Sequence, residues 1–317
     1  GRALADNIGD AGEQLDPPIK SLFVYNSDIA NCTPNSGNVR KGMSRDDIFI
    51  AVHDTFWTDS CMYADIVLPA DTALERTDCH WAYGSWYLGI NKPVIEPQGE
   101  SVRNTELFRM LADKMGYVDS TDNAFTQTDE EIIKDILLEA ENEDGERFNC
   151  LTEGINYDDV VKNGWARAST NSKRRDFLNS GWATPSGKIE IKCEAITAEY
   201  PDVSPFPEYV PEIKGQYDPL KSKYPIQVLS SASHYFIGDS FQSVPRLQAM
   251  QSRPTVELSV NDAKAREIKD GDLVRLYNEQ ADTYCYAVII DGLLDGVCAT
   301  QKQFKGSNTP NGLNVNN

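Results

Sequence analysis

The runs Ile19-Lys20-Ser21-Leu22-Phe23-Val24-Tyr25 and Asp47-Ile48-Phe49-Ile50-Ala51-Val52 are short, apolar and rich in β-branched and aromatic residues, which favours strands. A stretch with helical spacing, Val39 to Arg45, lies between them, and a third apolar run, Asp65-Ile66-Val67-Leu68-Pro69, follows. Nearly continuous apolar strands joined by helical segments are typical of a parallel sheet that is covered on both faces. We therefore predict an α/β fold for the first part of the chain.

Polar residues follow the first two predicted strands at their carboxyl ends. They are Asn26-Ser27-Asp28 and His53-Asp54-Thr55. Ligands of open α/β sheets bind at this edge, in the crevice outside the strand ends. The two loops are therefore the first candidates for a binding site.

Composition limits the kinds of partner. The chain has 317 residues, of which 40% are hydrophobic, so we expect two cores. The formal net charge of -19 makes nucleic acid and anionic membranes poor partners. No apolar run approaches the roughly 20 residues that cross a bilayer, so we expect no direct membrane insertion. Gly1 to Leu4 do not resemble the start of a secretory signal.

The cysteines and histidines do not form a recognisable catalytic or metal-binding pattern. The seven cysteines are an odd number without a Cys-x-x-Cys pair, and there are only three histidines. This argues against a disulfide framework and against a zinc or iron–sulfur site. The common hydrolase and nucleotidase motifs are missing from the sequence. We predict no catalytic and no metal-ligating residue, and we expect a bound group to supply the chemistry.

The rest of the chain indicates packing helices, a connector and a β-rich domain. Helices are predicted from Asn104 to Met115, with Gly116 as the stop, and from Thr128 to about Ala140, with Thr128 and Glu131 in capping-box spacing. Prolines are frequent between Tyr200 and Pro225, which favours an extended connector. Strands are predicted at residues 226–229, 256–259, 273–277 and 284–290, with one short helix capped by Asn261. We divide the chain into residues 1–199, a connector at 200–224, and a small barrel at 225–317.

Three consecutive stretches carry a family resemblance. Leu22 to Ala30, Val52 to Ser60 and Tyr63 to Ala70 resemble the molybdopterin oxidoreductases of the DMSO reductase family. The resemblance continues through Glu75, Asp78, 97–100, 111–116, 183–190, 260–263, 268–274 and 314–316. It implies a Rossmann-like parallel sheet followed by a mostly β, six-stranded barrel of the double-psi type. It also implies bis-molybdopterin guanine dinucleotide, with molybdenum or tungsten, as the cofactor.

The resemblance places candidate cofactor contacts in both parts of the chain. Backbone N–H groups can approach a pyrophosphate, and a carboxylate can accept hydrogen bonds from a guanine. In the sheet the candidates are Asn26, Ser27, Asp28, His53, Asp54, Thr58 and Asp59. In the barrel they are Ser231, Ser233, His234, Ser240, Phe241, Asn314 and Asn316. The competing interpretations are plain polar loops, helix capping by Asp54 or Thr55, and a structural histidine at position 234.

In this family the residue that binds the metal, and any 4Fe-4S cluster, lie upstream of the matched segment. We therefore expect the chain to be an inactive C-terminal portion, itself shortened at its end, of an oxidoreductase. The resemblance implies reduction of a small oxo- or sulfur-containing acceptor, a small-molecule acceptor or donor as partner, and an iron–sulfur subunit that transfers electrons. The prokaryotic cytoplasm and periplasm both remain open as compartments.

The sequence departs from the family pattern at two places, and other functions compete. Asp28-Ile29 stands where the family has Asn-Pro, and Gly238-Asp239 replaces polar groups on the cofactor side. One alternative is a non-catalytic scaffold, like the large iron–sulfur subunit of respiratory complex I, which has this architecture without molybdenum. Another is a free-standing barrel adaptor, which the match of residues 1–200 disfavours. The residues Ser233, His234 and 314–316 favour a bound cofactor.

Overall fold

The computed structural model describes residues 2–9, 12–118, 125–138, 155, 157–167, 181–182, 184–209 and 218–316. The chain forms two compact units. The first unit comprises Gly1–Ala70 together with Pro211–Asn317, and the second comprises Asp71–Val210. Our division at residues 200–224 stays a prediction, and residues 210–217 of that connector lie outside the described residues.

The helices and strands are numbered in chain order. The α-helices are α1 (Arg2–Asp6), α2 (Ile29–Cys32), α3 (Ser36–Met43), α4 (Asn104–Met115), α5 (Asp129–Leu138), α6 (Tyr157–Asn163), α7 (Glu194–Glu199), α8 (Pro245–Met250) and α9 (Val260–Ala265). The strands are β1 (Ser21–Tyr25), β2 (Phe49–Asp54), β3 (Ile66–Pro69), β4 (Asp78–Trp81), β5 (Tyr87–Asn91), β6 (Trp165–Arg167), β7 (Gln227–Ser231), β8 (Thr255–Ser259), β9 (Leu273–Tyr277), β10 (Asp282–Ile290) and β11 (Val297–Gln301). Short 3-10 helices are formed by Asp59–Tyr63, Pro219–Ser222 and Gly306–Asn308.

The predicted parallel sheet is confirmed. Its order is β1-β2-β3, and both pairings are parallel, with Val24 opposite Val52 and Val52 opposite Val67. The central strand β2 is the most deeply buried, and Ile50 and Val52 are at most 1% exposed. Burial of such side chains is the main stabilising contribution to this layer. The carboxyl ends of β1 and β2 therefore lie side by side, as the sequence indicates.

Helix α3 covers one face of this sheet. Val39 and Met43 pack in the same core as Ile50. The helix begins at Ser36, earlier than the predicted Val39, and the residue before it, Asn35, has a left-handed conformation with φ of 59°. Gly42 permits close contact with α1, since a Cβ atom there would lie 2.6 Å from the backbone carbon of Leu4.

The C-terminal strands form a mixed five-stranded sheet with the order β7-β11-β8-β10-β9. Its core contains Val256, Leu258, Cys285, Ala287 and Cys298. The mostly β character of this part is confirmed, whereas the six-stranded double-psi barrel is not confirmed, because the described residues supply five strands. Strand β11, which pairs with both β7 and β8, was not among the predicted strands.

Asn261 does not cap helix α9, so that prediction is wrong. Ser259 is the cap, and its Oγ accepts a hydrogen bond of 3.0 Å from the backbone N–H of Asp262. The Asn261 amide instead donates to Asp295 Oδ2 at 2.9 Å. A serine at this position satisfies one of the free N–H groups of the first helical turn.

The second unit contains an antiparallel sheet, β4-β5-β6, and packing helices. Helix α4 has the predicted bounds and ends at Gly116, with φ of 74°. Helix α5 begins with the predicted capping box: the Thr128 N–H donates to Glu131 Oε2, and the Glu131 N–H donates to Thr128 Oγ1. Its predicted end near Ala140 lies outside the described residues. Among the helices that are described, none is both long and apolar enough to span a membrane.

Candidate functional site

The loop after β1 combines exposed and buried polar residues. Asn26 and Ser27 are exposed, and Asn26 takes a left-handed conformation with φ of 51°. Asp28 is 4% exposed: its Oδ1 accepts hydrogen bonds from Ser60 N and Oγ at 2.9 and 2.6 Å, and its Oδ2 accepts from Asp59 N at 3.2 Å. Burial raises the pKa of the Asp28 carboxyl, and the Ser60 hydrogen bond opposes that shift. The Asp28 carboxylate therefore joins the two strand-end loops.

The loop after β2 begins with a buried histidine. The His53 side chain is fully buried, and its Nδ1 lies 3.2 Å from the carbonyl oxygen of Leu68. Its Nε2 is buried and makes no hydrogen bond within the described residues. Since a carbonyl can only accept, Nδ1 is the donor in this contact, and Nε2 is an acceptor whenever the ring is neutral.

The next residues form a turn. Asp54 is half-buried, and its Oδ1 accepts from the Phe56 N–H at 3.1 Å and from Thr55 Oγ1 at 3.4 Å. No helix begins at these residues, so the competing interpretation of Asp54 or Thr55 as a helix N-cap is wrong. Thr58 is half-buried, and its hydroxyl lies 3.4 Å from the Cys61 sulfur.

Asp59 forms a buried ion pair with Arg40. Arg40 Nη2 lies 2.9 Å from Asp59 Oδ2, and these side chains are 15% and 4% exposed. Arg40 Nε also donates to the carbonyl oxygen of Ala30 at 2.9 Å. Burial would lower the pKa of the Arg40 guanidinium, but the bond to Asp59 raises it above its ordinary value. Asp59 Oδ2 accepts a further hydrogen bond of 3.0 Å from the backbone N–H of Ser307, in the C-terminal part of the chain.

The same region contains a close approach that only glycine permits. A Cβ atom on Gly306 would lie 2.3 Å from Arg40 Nη2 and 2.5 Å from the carbonyl oxygen of Gly312. The Gly306 N–H donates to Asn31 Oδ1 at 3.1 Å. The backbone of the C-terminal segment thus rests directly on polar side chains that follow β1 and β2.

Asn31 is the centre of these contacts. It is fully buried, and its Oδ1 also accepts from Asn314 Nδ2 at 2.5 Å. Asn316 Nδ2 donates to the Asn31 carbonyl oxygen at 3.1 Å and to that of Cys32 at 3.3 Å. Asn314 and Asn316, predicted as cofactor contacts, therefore use their amides to bind helix α2, which follows β1. We call Asn31, Arg40, Asp59, Gly306 and Asn314 the interlock.

The candidates that follow β7 lie closer to solvent. Ser231 and His234 are exposed, and the His234 ring makes an edge contact with Tyr235. Ser233 Oγ donates to Gln251 Oε1 at 2.6 Å and accepts from the Tyr235 N–H at 3.1 Å. None of these contacts involves the interlock.

Ser240 and Phe241 are exposed in a turn that Gly238 makes possible. Gly238 has φ of 62°, and a Cβ atom there would lie 2.5 Å from Gln303 Oε1. The buried Gln242 holds the turn, because its Nε2 donates to the carbonyl oxygens of Gly238 and Gln303 at 2.9 and 2.6 Å. The glycine that departs from the family pattern is therefore required by the local backbone.

Sequence reasoning missed Asn31, Arg40, Gln242 and Gly306. Their decisive partners are distant in sequence, and no local pattern marks them. Asn31 and Gly306, for example, are 275 positions apart, and Gln242 and Gln303 are 61 positions apart. Within the described ranges, no group of three or more histidine, cysteine, aspartate or glutamate residues is arranged to hold a metal ion.

Comparison with known protein families shows which family the chain belongs to. The molybdopterin oxidoreductase model matches residues 10–114, and the molydopterin dinucleotide binding domain model matches residues 226–317. The chain belongs to the molybdopterin oxidoreductase family. The interlock joins the two matched regions, since Asn31, Arg40 and Asp59 lie in the first, and Gly306 and Asn314 in the second. The second match supports a molybdopterin dinucleotide as the cofactor.

The chain spans only about 40% of the length of the curated relatives that it matches. It is 32% identical over 297 residues to the probable oxidoreductase YoaE of Bacillus subtilis (strain 168), covering 93% of this chain and 40% of that protein. It is 28% identical over 324 residues to the dimethyl sulfoxide reductase DmsA of Escherichia coli (strain K12), covering 94% of this chain and 38% of that protein.

A solved structure shares the fold. Acetylene hydratase from Pelobacter acetylenicus superposes with a TM-score of 0.73 at 20% identity, covering 95% of this chain and 38% of that one. The architecture of the two matched regions therefore extends to a protein of low sequence identity.

Proposed function

We propose that this chain is the cofactor-holding part of a molybdenum or tungsten oxidoreductase that reduces a small oxo- or sulfur-containing acceptor. The relative named dimethyl sulfoxide reductase supports this acceptor class. The proposed cofactor is bis-molybdopterin guanine dinucleotide. The activity belongs to a polypeptide as long as those relatives, with an iron–sulfur subunit as electron partner and a 4Fe-4S cluster outside this chain.

One observation carries the proposal: His53 Nε2 is a buried acceptor without a hydrogen bond in the described structure. An unsatisfied buried polar atom costs about 1–3 kcal/mol, and such atoms in native proteins point to an absent ligand or water. The atom lies on β2 at the strand-end edge where α/β sheets bind ligands. A guanine base carries N–H donors that suit this acceptor. The residues present therefore fit the proposed group.

The neighbouring candidates divide into two roles. Asn26, Ser27 and Asp54 have polar groups at the open edge and would bind the dinucleotide, as would His234 and Ser240 in the C-terminal region. Asp28 and Asp59 already use their carboxylates to join the loops, so we assign them to positioning. When bound, the metal centre supplies the two-electron chemistry. The contribution of this chain is to bind and orient the cofactor.

The proposal is tested by nucleotide binding to the purified chain. Titration calorimetry with guanosine monophosphate should give saturable binding. His53→Phe, which keeps an aromatic ring but removes the acceptor, should weaken that binding about tenfold, as expected for one lost buried hydrogen bond. His80→Phe in the second unit is the matched control and should bind normally. Binding by His53→Phe within twofold of the wild-type chain contradicts the assignment.

A second measurement tests the activity. A full-length polypeptide expressed in a host that makes the cofactor should contain molybdenum or tungsten and guanine, and should reduce dimethyl sulfoxide or trimethylamine N-oxide with a reduced viologen as donor. If this polypeptide contains neither pterin nor metal, the scaffold alternative is favoured instead.

A further inference from the structure

The sequence contains two Asn-Gly pairs, Asn163-Gly164 and Asn311-Gly312. Such a pair favours a reaction within the chain, because glycine has no Cβ atom and leaves its backbone nitrogen open to the side-chain carbonyl of the preceding asparagine. Attack of the nitrogen on that carbonyl closes a succinimide ring. The local backbone decides how readily the ring closes, and it differs between the two pairs.

The first pair is held in an unreactive arrangement. Asn163 is the last residue of helix α6, so its backbone is helical. The Gly164 N–H donates to the Val160 carbonyl oxygen at 2.8 Å, and the Gly164 carbonyl oxygen accepts from the Ile90 N–H at 3.0 Å. Because both of its backbone groups are hydrogen-bonded, Gly164 must break a well-formed bond before its nitrogen can attack Asn163.

The second pair lies in a turn of the C-terminal segment. The Asn311 Oδ1 accepts weakly from the Leu313 N–H at 3.4 Å, and Nδ2 donates to the Asp282 carbonyl oxygen at 3.2 Å. An asparagine that accepts from the residue two positions on folds its side chain back over the intervening peptide, here that of Gly312. The Gly312 N–H makes only a long hydrogen bond of 3.3 Å to the Thr309 carbonyl oxygen. Attack by this nitrogen therefore costs less than in the first pair.

We infer that Asn311 is a site of spontaneous deamidation, and that its modification weakens the interlock as the protein ages. The Gly312 nitrogen forms a bond to Asn311 Cγ, the Cγ–Nδ2 bond breaks, and ammonia leaves with the proton that the nitrogen loses. Water then opens the succinimide at either carbonyl carbon. One product is aspartate, and the other is isoaspartate, in which the main chain runs through Cγ. No electron is transferred, and water is the only co-reactant.

Both products disturb the segment that contributes to the interlock. Aspartate replaces the amide donor by a carboxylate that faces the Asp282 carbonyl oxygen, so that two acceptors meet. Isoaspartate adds a main-chain atom directly before Gly312. The Gly312 carbonyl oxygen packs closely on Gly306, since a Cβ atom there would lie 2.5 Å from it. Asn314 follows two residues later, and its amide donates to Asn31. A shift of the main chain at this point therefore separates groups on which the interlock depends.

Incubation of the purified chain in mildly alkaline buffer, followed by peptide mapping with mass spectrometry, tests the inference. In the folded chain, deamidation at Asn311 should be about fivefold faster than at Asn163, which is the factor that one well-formed backbone hydrogen bond contributes. In urea, where neither the turn nor the helix persists, the two pairs should react at similar rates. The two sites of one chain are thus matched controls for each other.

A stability measurement tests the link to the interlock. Wild-type chain deamidated at Asn311, separated from the unmodified form by its added negative charge, should melt at a lower temperature than that form. Asn311→Gln keeps an amide but requires a larger, less favourable ring, so the same incubation should leave its melting temperature unchanged. Asn163→Gln is the matched control and should age like the wild-type chain.

Several results would overturn the inference. They are deamidation at Asn163 as fast as at Asn311 in the folded chain, a preference for Asn311 that persists unchanged in urea, an unaltered melting temperature of the chain deamidated at Asn311, and an equal loss on incubation of Asn311→Gln. The two rates are measured on the wild-type chain, so they decide the question even if Asn311→Gln does not fold.

Discussion

Asn314 donates a buried hydrogen bond of 2.5 Å to the side-chain oxygen of Asn31, which is 283 positions away in the sequence. The two side chains are 3% and 0% exposed. Each amide also bonds to backbone groups, because Asn31 accepts from Gly306 and Asn314 donates to the carbonyl oxygen of Phe304. The pair is therefore part of the attachment between the two regions that the family models match.

Replacing either member should destabilise the apo-protein. Asn31→Ala and Asn314→Ala each leave buried partners unsatisfied, which costs about 1–3 kcal/mol. Because the residues share one network, the double variant should lose less than the sum of the two single losses. Urea unfolding of the four proteins measures this. Asn308→Ala, a change at a half-buried asparagine of the same segment, is the control. Additive losses would show that the two amides act independently.

Two neighbouring basic residues on α3, Arg40 and Lys41, should contribute very differently to the stability of the folded protein. Arg40→Met leaves the buried Asp59 carboxylate without its ion partner, and this should cost about 3–5 kcal/mol. Lys41→Met removes a pair with Asp6 in which both side chains are exposed, 61% and 38%, and should cost less than about 1 kcal/mol. Thermal unfolding of both variants compares them directly. Equal losses would contradict the structural role assigned to Arg40.

The second unit should lose stability in acid because the Glu75 carboxylate becomes protonated. Hydrogen bonds from Thr72, Gln98 and Ser101 lower the pKa of this buried carboxyl from 4.5 to about 2. The folded state therefore binds the proton less readily than the unfolded state, so the stabilisation is complete above the unfolded pKa and is lost as pH falls from about 5 to about 2. Glu75→Gln should be less stable than wild type at pH 7, and the difference should shrink across this range.

Denaturant unfolding at several pH values tests that prediction. Glu100→Gln, at an exposed glutamate of the same unit, is the control and should follow the wild-type curve. A constant difference between Glu75→Gln and wild type from pH 7 to pH 2 would rule out the carboxylate as the source.

Replacing His234 and replacing Asn316 should affect the melting temperature of the apo-protein differently. The sequence alone predicts that replacing either residue lowers cofactor occupancy before it lowers the stability of the apo-protein. The structure retains this expectation for the exposed His234, so His234→Ala should melt normally and reduce the cofactor content of the full-length enzyme. Asn316→Ala should lower the melting temperature of the apo-chain, because two backbone carbonyls after β1 lose their donor. A depressed melting temperature for His234→Ala would remove it from the cofactor site.

The isolated chain should contain no stoichiometric molybdenum or tungsten and should not oxidise a reduced viologen. The resemblance places the metal ligand of this family upstream of the matched segment, and the described residues contain no group of three or more histidine, cysteine, aspartate or glutamate side chains arranged around a metal. Elemental analysis of the purified chain tests this. One metal atom per chain would contradict it.

The sequence predicted strands more successfully where apolar residues are continuous. The runs that become β1, β2 and β3 are of this kind. Strand β11 was not predicted from the sequence, because its two buried residues, Cys298 and Thr300, alternate with partly exposed ones. Neither buried residue has the strong apolar character that marks a strand. The capping of α9 was misassigned because Ser259 and Asn261 are both good cap residues, and only the geometry decides between them.

The sequence predicted the positions of the polar loops, while binding of a cofactor by their residues stays a prediction. The polar loops after β1 and β2 lie where the sequence places them. The hydrogen bond from Ser307 to Asp59 could not be predicted from the sequence. The two residues are 248 positions apart, and no local periodicity indicates such a contact. The same holds for Asn314 and Asn316, whose partners follow the first strand.

The interlock also has a consequence for biosynthesis. At a translation rate of ~5–20 residues per second, the 275 positions from Asn31 to Gly306 take about 14–55 s to emerge. During that interval the β1–β3 region can form its local strand pairs while the polar groups of Asn31 and Asp59 await their C-terminal partners. The interlock therefore forms only after Gly306 and Asn314 have been synthesised, well after the strands on either side of Asn31.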